Sequence, residues 1–300
     1  MTTTRRAVGT ILAVVGLVAV LGGVVLAGRQ TSPPDYGVVF SGERAYEDVL
    51  TQMSFGPRFI GSEGHALTVE WLVETLSALG WETEVQELVS GGQLVRNVIA
   101  KRGDGEDWVV LGAHYDTRMV ADEDLDPALR GEPVPGANDG ASGVAVLLEL
   151  ARVLPDDLEK EVWLVFFDAE DNGRIEGWDW ILGSRAFVDA LIEKPDAAVI
   201  VDMVGDSDLQ LYYEGNSDDA LRQEIWETAA GLGYGQFILL EKYHMLDDHT
   251  PFLQAGIPAV DIIDFDYRYW HTTADTADKV SAASLEAVGA TVLAWLTGEE

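Results

Sequence analysis

A run of large apolar side chains that stops abruptly on acids constrains this chain more than any other feature. Val162 to Phe167 is short, uninterrupted and rich in β-branched and aromatic residues, so it reads as a strand buried on both faces. It runs directly into Asp168-Ala169-Glu170-Asp171. The same pattern recurs twice: Trp108 to Ala113 leads into His114-Tyr115-Asp116-Thr117, and Ala197 to Val201 stops on Asp202. Buried strands of this kind belong to parallel sheets covered by helices, and ligands bind such sheets at the carboxyl edge of the strands. Taken alone, each stretch is equally an ordinary acidic turn. Three together place His114, Glu170, Asp171 and Asp202 at one edge.

The segments between these strands fit that architecture. Glu43 to Met53 and Gly64 to Leu79 carry apolar residues at helical spacing. Trp81 to Val89 and Leu94 to Lys101 alternate as an antiparallel pair joined through Ser90-Gly91-Gly92. Helices are predicted over Val144 to Leu154, from Gly183-Ser184-Arg185 onward, over Asp218 to Leu232 and over Ser284 to Leu296. Leu209 to Glu214 and Ile257 to Ile263 complete the strands. The fold class is therefore α/β, a three-layer α/β/α sandwich with a mixed, largely parallel central sheet. No fixed-period repeat interrupts it.

Ahead of this domain, Arg5-Arg6 precedes Ala7 to Gly28, an uncharged and almost wholly apolar stretch. As a helix it is about 33 Å long, enough to cross a bilayer core. It is longer than the usual apolar region of a signal peptide, which favours an uncleaved anchor, although Val25-Leu26-Ala27 is an acceptable cleavage site. The chain divides into an anchor or signal peptide over 1–28, a linker over 29–42 and a catalytic domain over 43–300. Arginines before the span leave the domain outside the cytoplasm, tethered to the cell membrane, or secreted if the segment is cleaved.

Charge excludes some functions. With 52 acidic and 19 basic residues the net charge is −33, a field that disfavours nucleic acid and simple docking on anionic lipid. Any membrane contact is then through the N-terminal span only. Metal cations and cationic groups such as a peptide's free amino terminus are the natural partners. There is no cysteine, so neither disulfides nor thiolate ligands are available.

Beside the strand-end residues, two loops contribute Asp139 and His271. Two imidazoles and several carboxylates without thiolate suit zinc in a catalytic setting, where a coordination position stays open. Asp122, Asp124 and Asp126 alternate as in a calcium loop, but Pro127 and Pro133 stand where that loop needs glycine and glutamate, so they read as a solvated loop. Trp178 and Trp180 serve equally as pocket walls or as caps on the core. His65, His244 and His249 read as ordinary surface or hydrogen-bonded histidines.

The ordered set Ala113-His114-Tyr115-Asp116, Asn138-Asp139-Gly140-Ala141-Ser142-Gly143, Glu170-Asp171 followed by Gly183-Ser184, Asp202 and His271-Thr272 resembles the zinc-dependent aminopeptidases that use two co-catalytic metals. It is also similar to the glutaminyl-peptide cyclases, which share that fold. The resemblance implies that His114 and Asp202 hold one zinc, Asp171 and His271 the other, with Asp139 bridging and Glu170 as general base. The cyclase branch implies a single zinc on Asp139, Asp171 and His271, with Asp247 and Trp270 lining the substrate pocket. Trp270 before the histidine and Asp247-Asp248-His249-Thr250-Pro251-Phe252 resemble the cyclases. Asn138 to Gly143 and the His271-Thr272-Thr273-Ala274-Asp275-Thr276 run look more like the peptidases. Asp171 departs from the peptidase pattern, which carries glutamate there. The expected activity is a zinc aminopeptidase acting on peptide or protein N-termini, with glutaminyl cyclisation as the alternative and an inactive binding ectodomain as a third reading.

Overall fold

The computed structural model describes residues 39–155 and 158–298. The apolar segment Ala7 to Gly28 and linker residues 29–38 lie outside the described residues. Among the described residues no helix is long and apolar enough to cross a membrane.

The chain opens with two helices, α1 (Gly42–Ser54) and α2 (Glu63–Ala78). Ser41 and Ser62 cap them by accepting from the backbone N–H of Arg44 and His65. The strands β1 (Glu82–Ser90) and β2 (Gln93–Arg102) form the expected antiparallel pair. After them come β3 (Asp107–His114), α3 (Ala141–Val153), β4 (Lys160–Phe167), α4 (Leu182–Asp189) and β5 (Ala197–Asp202). The remainder is β6 (Leu211–Glu214), α5 (Asp219–Leu232), β7 (Phe237–Tyr243), α6 (Thr250–Gln254), β8 (Ala259–Ile263) and α7 (Ala282–Thr297).

Six strands form one sheet in the order β1-β2-β4-β3-β5-β8. The last four run parallel, and β2 pairs antiparallel with both its neighbours. Alternation along each parallel strand divides the side chains between two cores, as a period of two requires. Val109, Leu111 and Ala113 join Val199, Val201, Val260 and Ile262 under α1, α3 and α7. Val110, Phe167, Ile200 and Ala259 face the other way and meet Phe187 of α4 and Phe252 of α6. This is the predicted three-layer α/β/α sandwich with a mixed, largely parallel sheet.

One strand carries no such alternation. β7 pairs with β6 in a separate two-stranded sheet, and its Leu239 and Leu240 are exposed. Only Phe237 at its start is buried, so nothing in its side-chain pattern marks it as a strand.

Candidate active site

The sheet brings the expected strand ends to one level. His114 at the end of β3 lies opposite Phe167 at the end of β4, so Glu170 and Asp171 follow immediately beyond it. Asp202 closes β5 on the other side of β3. The turns there are tightly constrained. All five non-glycine residues with positive φ among the described residues lie on these loops or flank a site residue: Ala169, Arg174, Ile181, Met203 and His271. Such conformations cost about 1–3 kcal/mol each and persist where the surroundings over-determine them.

Two groups of donors result here, and among the described residues Asp247, His249 and Asp261 form a third. His114 Nε2 lies 3.1 Å from Asp202 Oδ1 and 3.2 Å from Asp139 Oδ1. His271 Nε2 lies 2.7 Å from Asp171 Oδ1 and 3.9 Å from Asp139 Oδ2. Within each trio, His114–Asp139–Asp202 and Asp139–Asp171–His271, one donor atom per residue falls within 4.8 Å of the others, and Asp139 belongs to both. All five residues are buried.

The two trios differ in how their atoms are satisfied. His114 Nε2 and Asp202 Oδ1 are in hydrogen-bond geometry with each other. In the other trio Asp139 Oδ2, Asp171 Oδ2 and His271 Nε2 are all buried without a hydrogen-bond partner. Buried polar atoms left unsatisfied are rare and costly, and three converging from a histidine and two carboxylates fit a cation of the zinc type.

Proton affinities express the same crowding. Burial works to lower the His271 pKa, but Asp171, Asp122 and Asp139 outweigh it and lift it to about 9. Burial raises Asp171 to about 6 against the pull of His271. Glu170 is raised well above the usual carboxylate range, by burial first and then by Asp247, Asp171 and Asp248, with His114 opposing. Burial and the charge of Asp202 raise Asp247 to about 7.

A cavity of about 210 Å³ opens over this cluster. Asp139, Glu170, Asp171, Asp202 and Asp247 form its acidic part, and Trp180, Trp270, Phe265, Met203 and Ile263 are among its apolar walls. Trp270 stacks on His271 with ring centres 3.6 Å apart, and Trp180 lies near-parallel to the same imidazole at 6.0 Å. Trp178 instead packs with Val95, Ala169 and Leu182, so the two tryptophans divide the roles left open between them.

Outside the trios, several acids that sequence reasoning missed hold the loops by accepting backbone N–H groups. Asp116 accepts from Glu170 N at 3.0 Å and Asp171 N at 3.4 Å. Asp275 accepts from Asn138 N at 2.9 Å, Asp139 N at 3.2 Å and the Tyr267 hydroxyl at 2.6 Å. Gly140, next to Asp139, is required by close approach, since a Cβ there would lie 2.5 Å from the His114 carbonyl oxygen. Asp124 corrects the reading of a solvated loop, and Asp122, though exposed, is tied to the site. Asp124 is buried and accepts from Thr273 N and Oγ1, while Asp122 pairs with Arg118 at 2.7 Å and approaches His271 Nδ1 at 3.6 Å. Asp122 and Asp126 are both exposed, so of the three only Asp124 is buried.

Asp168, the first acid of the opening stretch, turns away to His65 at 2.9 Å and Arg96 N at 2.8 Å. His244 is exposed. His249 is fully buried beside Asp247 and Asp261, and sits 3.3 Å from Glu214.

The model of peptidase family M28 matches residues 97–296. The chain belongs to peptidase family M28. Relatives of this M28 enzyme fall on two sides of the family. It is 27% identical over 271 residues to a glutaminyl-peptide cyclotransferase of Drosophila melanogaster, covering 77% of this chain and 73% of that protein. It is 30% identical over 252 residues to aminopeptidase YwaD of Bacillus subtilis (strain 168), covering 77% of this chain but only 48%, about half, of the relative. Among solved structures, Porphyromonas gingivalis glutaminyl cyclase superposes with a TM-score of 0.81 at 35% identity, over 87% of this chain and 99% of that one.

Proposed function

We propose that this M28 enzyme acts on the amino-terminal residue of peptides with zinc held by Asp139, Asp171 and His271, and that the reaction its pocket supports best is cyclisation of an N-terminal glutamine. The observation that carries the choice is that every residue of the Asp139–Asp171–His271 trio keeps a buried atom without a hydrogen-bond partner, whereas at the other trio the unshared residues leave only His114 Nδ1, which lies 3.5 Å from Asp116. His114 and Asp202, in contrast, already satisfy each other. One occupied position matches the single zinc that the resemblance to the cyclases implies. When bound there, zinc supplies Lewis-acid polarisation of a carbonyl.

The chain's own residues do the rest. The acidic floor attracts the substrate's α-amino group, and Trp270 and Trp180 flank the glutamine side chain, folding it back so that amine and side-chain amide meet. The amine nitrogen bonds to the amide carbon as the bond from that carbon to the departing nitrogen breaks. Glu170 takes the proton released by the amine and returns it to the leaving ammonia. Its raised pKa suits it to both halves of that transfer. Asp116 keeps Glu170 aimed by accepting its backbone N–H.

Hydrolysis of the first peptide bond is the second reading, and one observation favours it. His114, Asp139 and Asp202 form a complete trio sharing Asp139, so a second ion can be held beside the first. The deciding experiment incubates the zinc-supplemented enzyme with a glutamine-terminated and a leucine-terminated peptide and follows both by mass spectrometry. Loss of ammonia from the glutamine peptide with the leucine peptide untouched is the expected result. Removal of a whole residue from either peptide establishes the aminopeptidase instead.

The same proposal covers location: the domain works outside the cytoplasm, held at the membrane by Ala7 to Gly28. Protease added to intact cells should shave the domain off, and a protein fully protected until lysis would overturn that orientation.

A further inference from the structure

We propose that Arg174 selects substrates carrying a carboxylate downstream of their first residue. The inference rests on the reading that the pocket receives a peptide amino terminus, and adds which peptides it prefers. Arg174 is the sole basic residue lining a cavity that otherwise presents five carboxylates. Its side chain is exposed, and none of the described residues gives its guanidinium a hydrogen bond or an ion pair. Arg118 nearby is the contrast, since Asp122 and the Asp171 and Gly173 carbonyls occupy it.

The backbone under Arg174 is fixed, so the side chain projects from a set point on the cavity wall. Its φ is +63°, a conformation that firm surroundings maintain in a non-glycine residue. Those surroundings are visible on both sides. Gly173 O accepts from Arg118 at 3.2 Å, and a Cβ on Gly173 would fall 2.0 Å from the Trp180 ring, so the glycine and the tryptophan are in direct packing. On the other side Ile175 N donates to Asn172 O and Trp178 N to Ile175 O.

A site that draws in an ammonium group with the carboxylates that zinc leaves free repels any anionic group that follows it. With 52 acidic residues against 19 basic ones, the rest of the protein adds to that repulsion. A peptide whose first residue occupies the acidic floor leads its remaining chain out along the cavity wall. There the guanidinium can take a carboxylate with two parallel N–H donors. That carboxylate is either an aspartate or glutamate side chain at the second or third position, or the free terminus of a dipeptide or tripeptide.

The test compares four peptides with the same reactive first residue in the zinc-loaded enzyme: an amide-capped neutral peptide, the same peptide with an internal glutamate, the same with an internal lysine, and a dipeptide as free acid. For wild type, kcat/KM for either carboxylate peptide should exceed that for the neutral peptide, mainly through KM. In Arg174→Ala that preference should fall about three- to tenfold, the range of a partly exposed charge pair. Arg174→Lys should restore part of it, and Arg174→Glu should reverse it toward the lysine peptide. A preference carried only by the glutamate peptide identifies a side-chain carboxylate, and one carried only by the dipeptide a chain terminus. Equal losses on all four peptides, or a preference indifferent to the residue at 174, overturn the proposal while the pocket reading stands. A wild-type enzyme that turns over none of the four overturns both.

Discussion

Glu170 and Glu214 are two buried glutamates, 7% and 1% exposed, whose proton affinities move in opposite directions. Burial raises both. At Glu214, His249 at 3.3 Å and N–H groups of Asn216, Ser217 and Met245 at 2.7–3.0 Å overcome it and hold the pKa at about 2. At Glu170 no hydrogen bond to the carboxylate opposes the burial, neighbouring acids add to it, and the pKa rises well above the ordinary range. Donors, rather than depth, decide whether a buried acid is fixed or free to carry a proton. Glu214 closes a loop behind the pocket, whereas Glu170 faces into it.

The comparison breaks first at Glu170. Glu170→Gln keeps the size of the side chain and removes its ability to accept a proton, so kcat should fall by about 10²–10⁴. Zinc content, measured by elemental analysis of the same preparation, should stay at the wild-type level because Glu170 belongs to neither donor trio. Near-wild-type turnover would show that the free acid has no part in the reaction.

Glu214→Gln tests the other half, and the sign follows from the depressed pKa. A carboxyl that titrates at about 2 when folded and near 4.5 when unfolded stabilises the fold above pH 4.5. That stabilisation is lost progressively as pH falls from 4.5 toward 2. The variant should therefore be less stable by about 3 kcal/mol at pH 7 by urea unfolding, converging on wild type as the pH approaches 2. A difference independent of pH would mean that packing, rather than charge, is what Glu214 supplies.

This contrast also separates what the sequence disclosed from what it concealed. His114, Glu170, Asp171 and Asp202 were legible because a buried strand that ends on a polar group advertises both the strand and its end. The sandwich followed from the same runs. Asp116 and Asp275 stood inside quoted motifs, yet their work is to accept backbone N–H groups, in the case of Asp275 from residues 136 and 137 positions away. Nothing in side-chain pattern records such a bond. Asp261 is hidden differently, in the middle of β8 between Val260 and Ile262, where the run reads as apolar although the side chain is fully buried beside His249. Trp270 and Asp247 were placed at the pocket by resemblance, and both line it.

Asp124 offers the smallest and sharpest test, because it is an acid of the Glu214 kind set close to the site itself. It accepts from Thr273 N at 3.0 Å and Thr273 Oγ1 at 2.6 Å, two residues beyond His271, whose own φ of +55° needs such support. The neighbouring contact from Glu123 N to His271 O ties the same two loops together. Asp124→Ala frees the loop without touching either donor trio. Zinc affinity, measured by competition with a chelator, should weaken by about tenfold, the lower end of what supporting residues around a metal contribute. If an acid satisfied by N–H donors acts only by fixing position, excess zinc should restore kcat and leave its pH profile where it was. A shifted pH profile at saturating zinc would put Asp124 electrostatically in contact with the reaction, and the distinction drawn from Glu170 and Glu214 would fail at the place where the two kinds of acid lie closest.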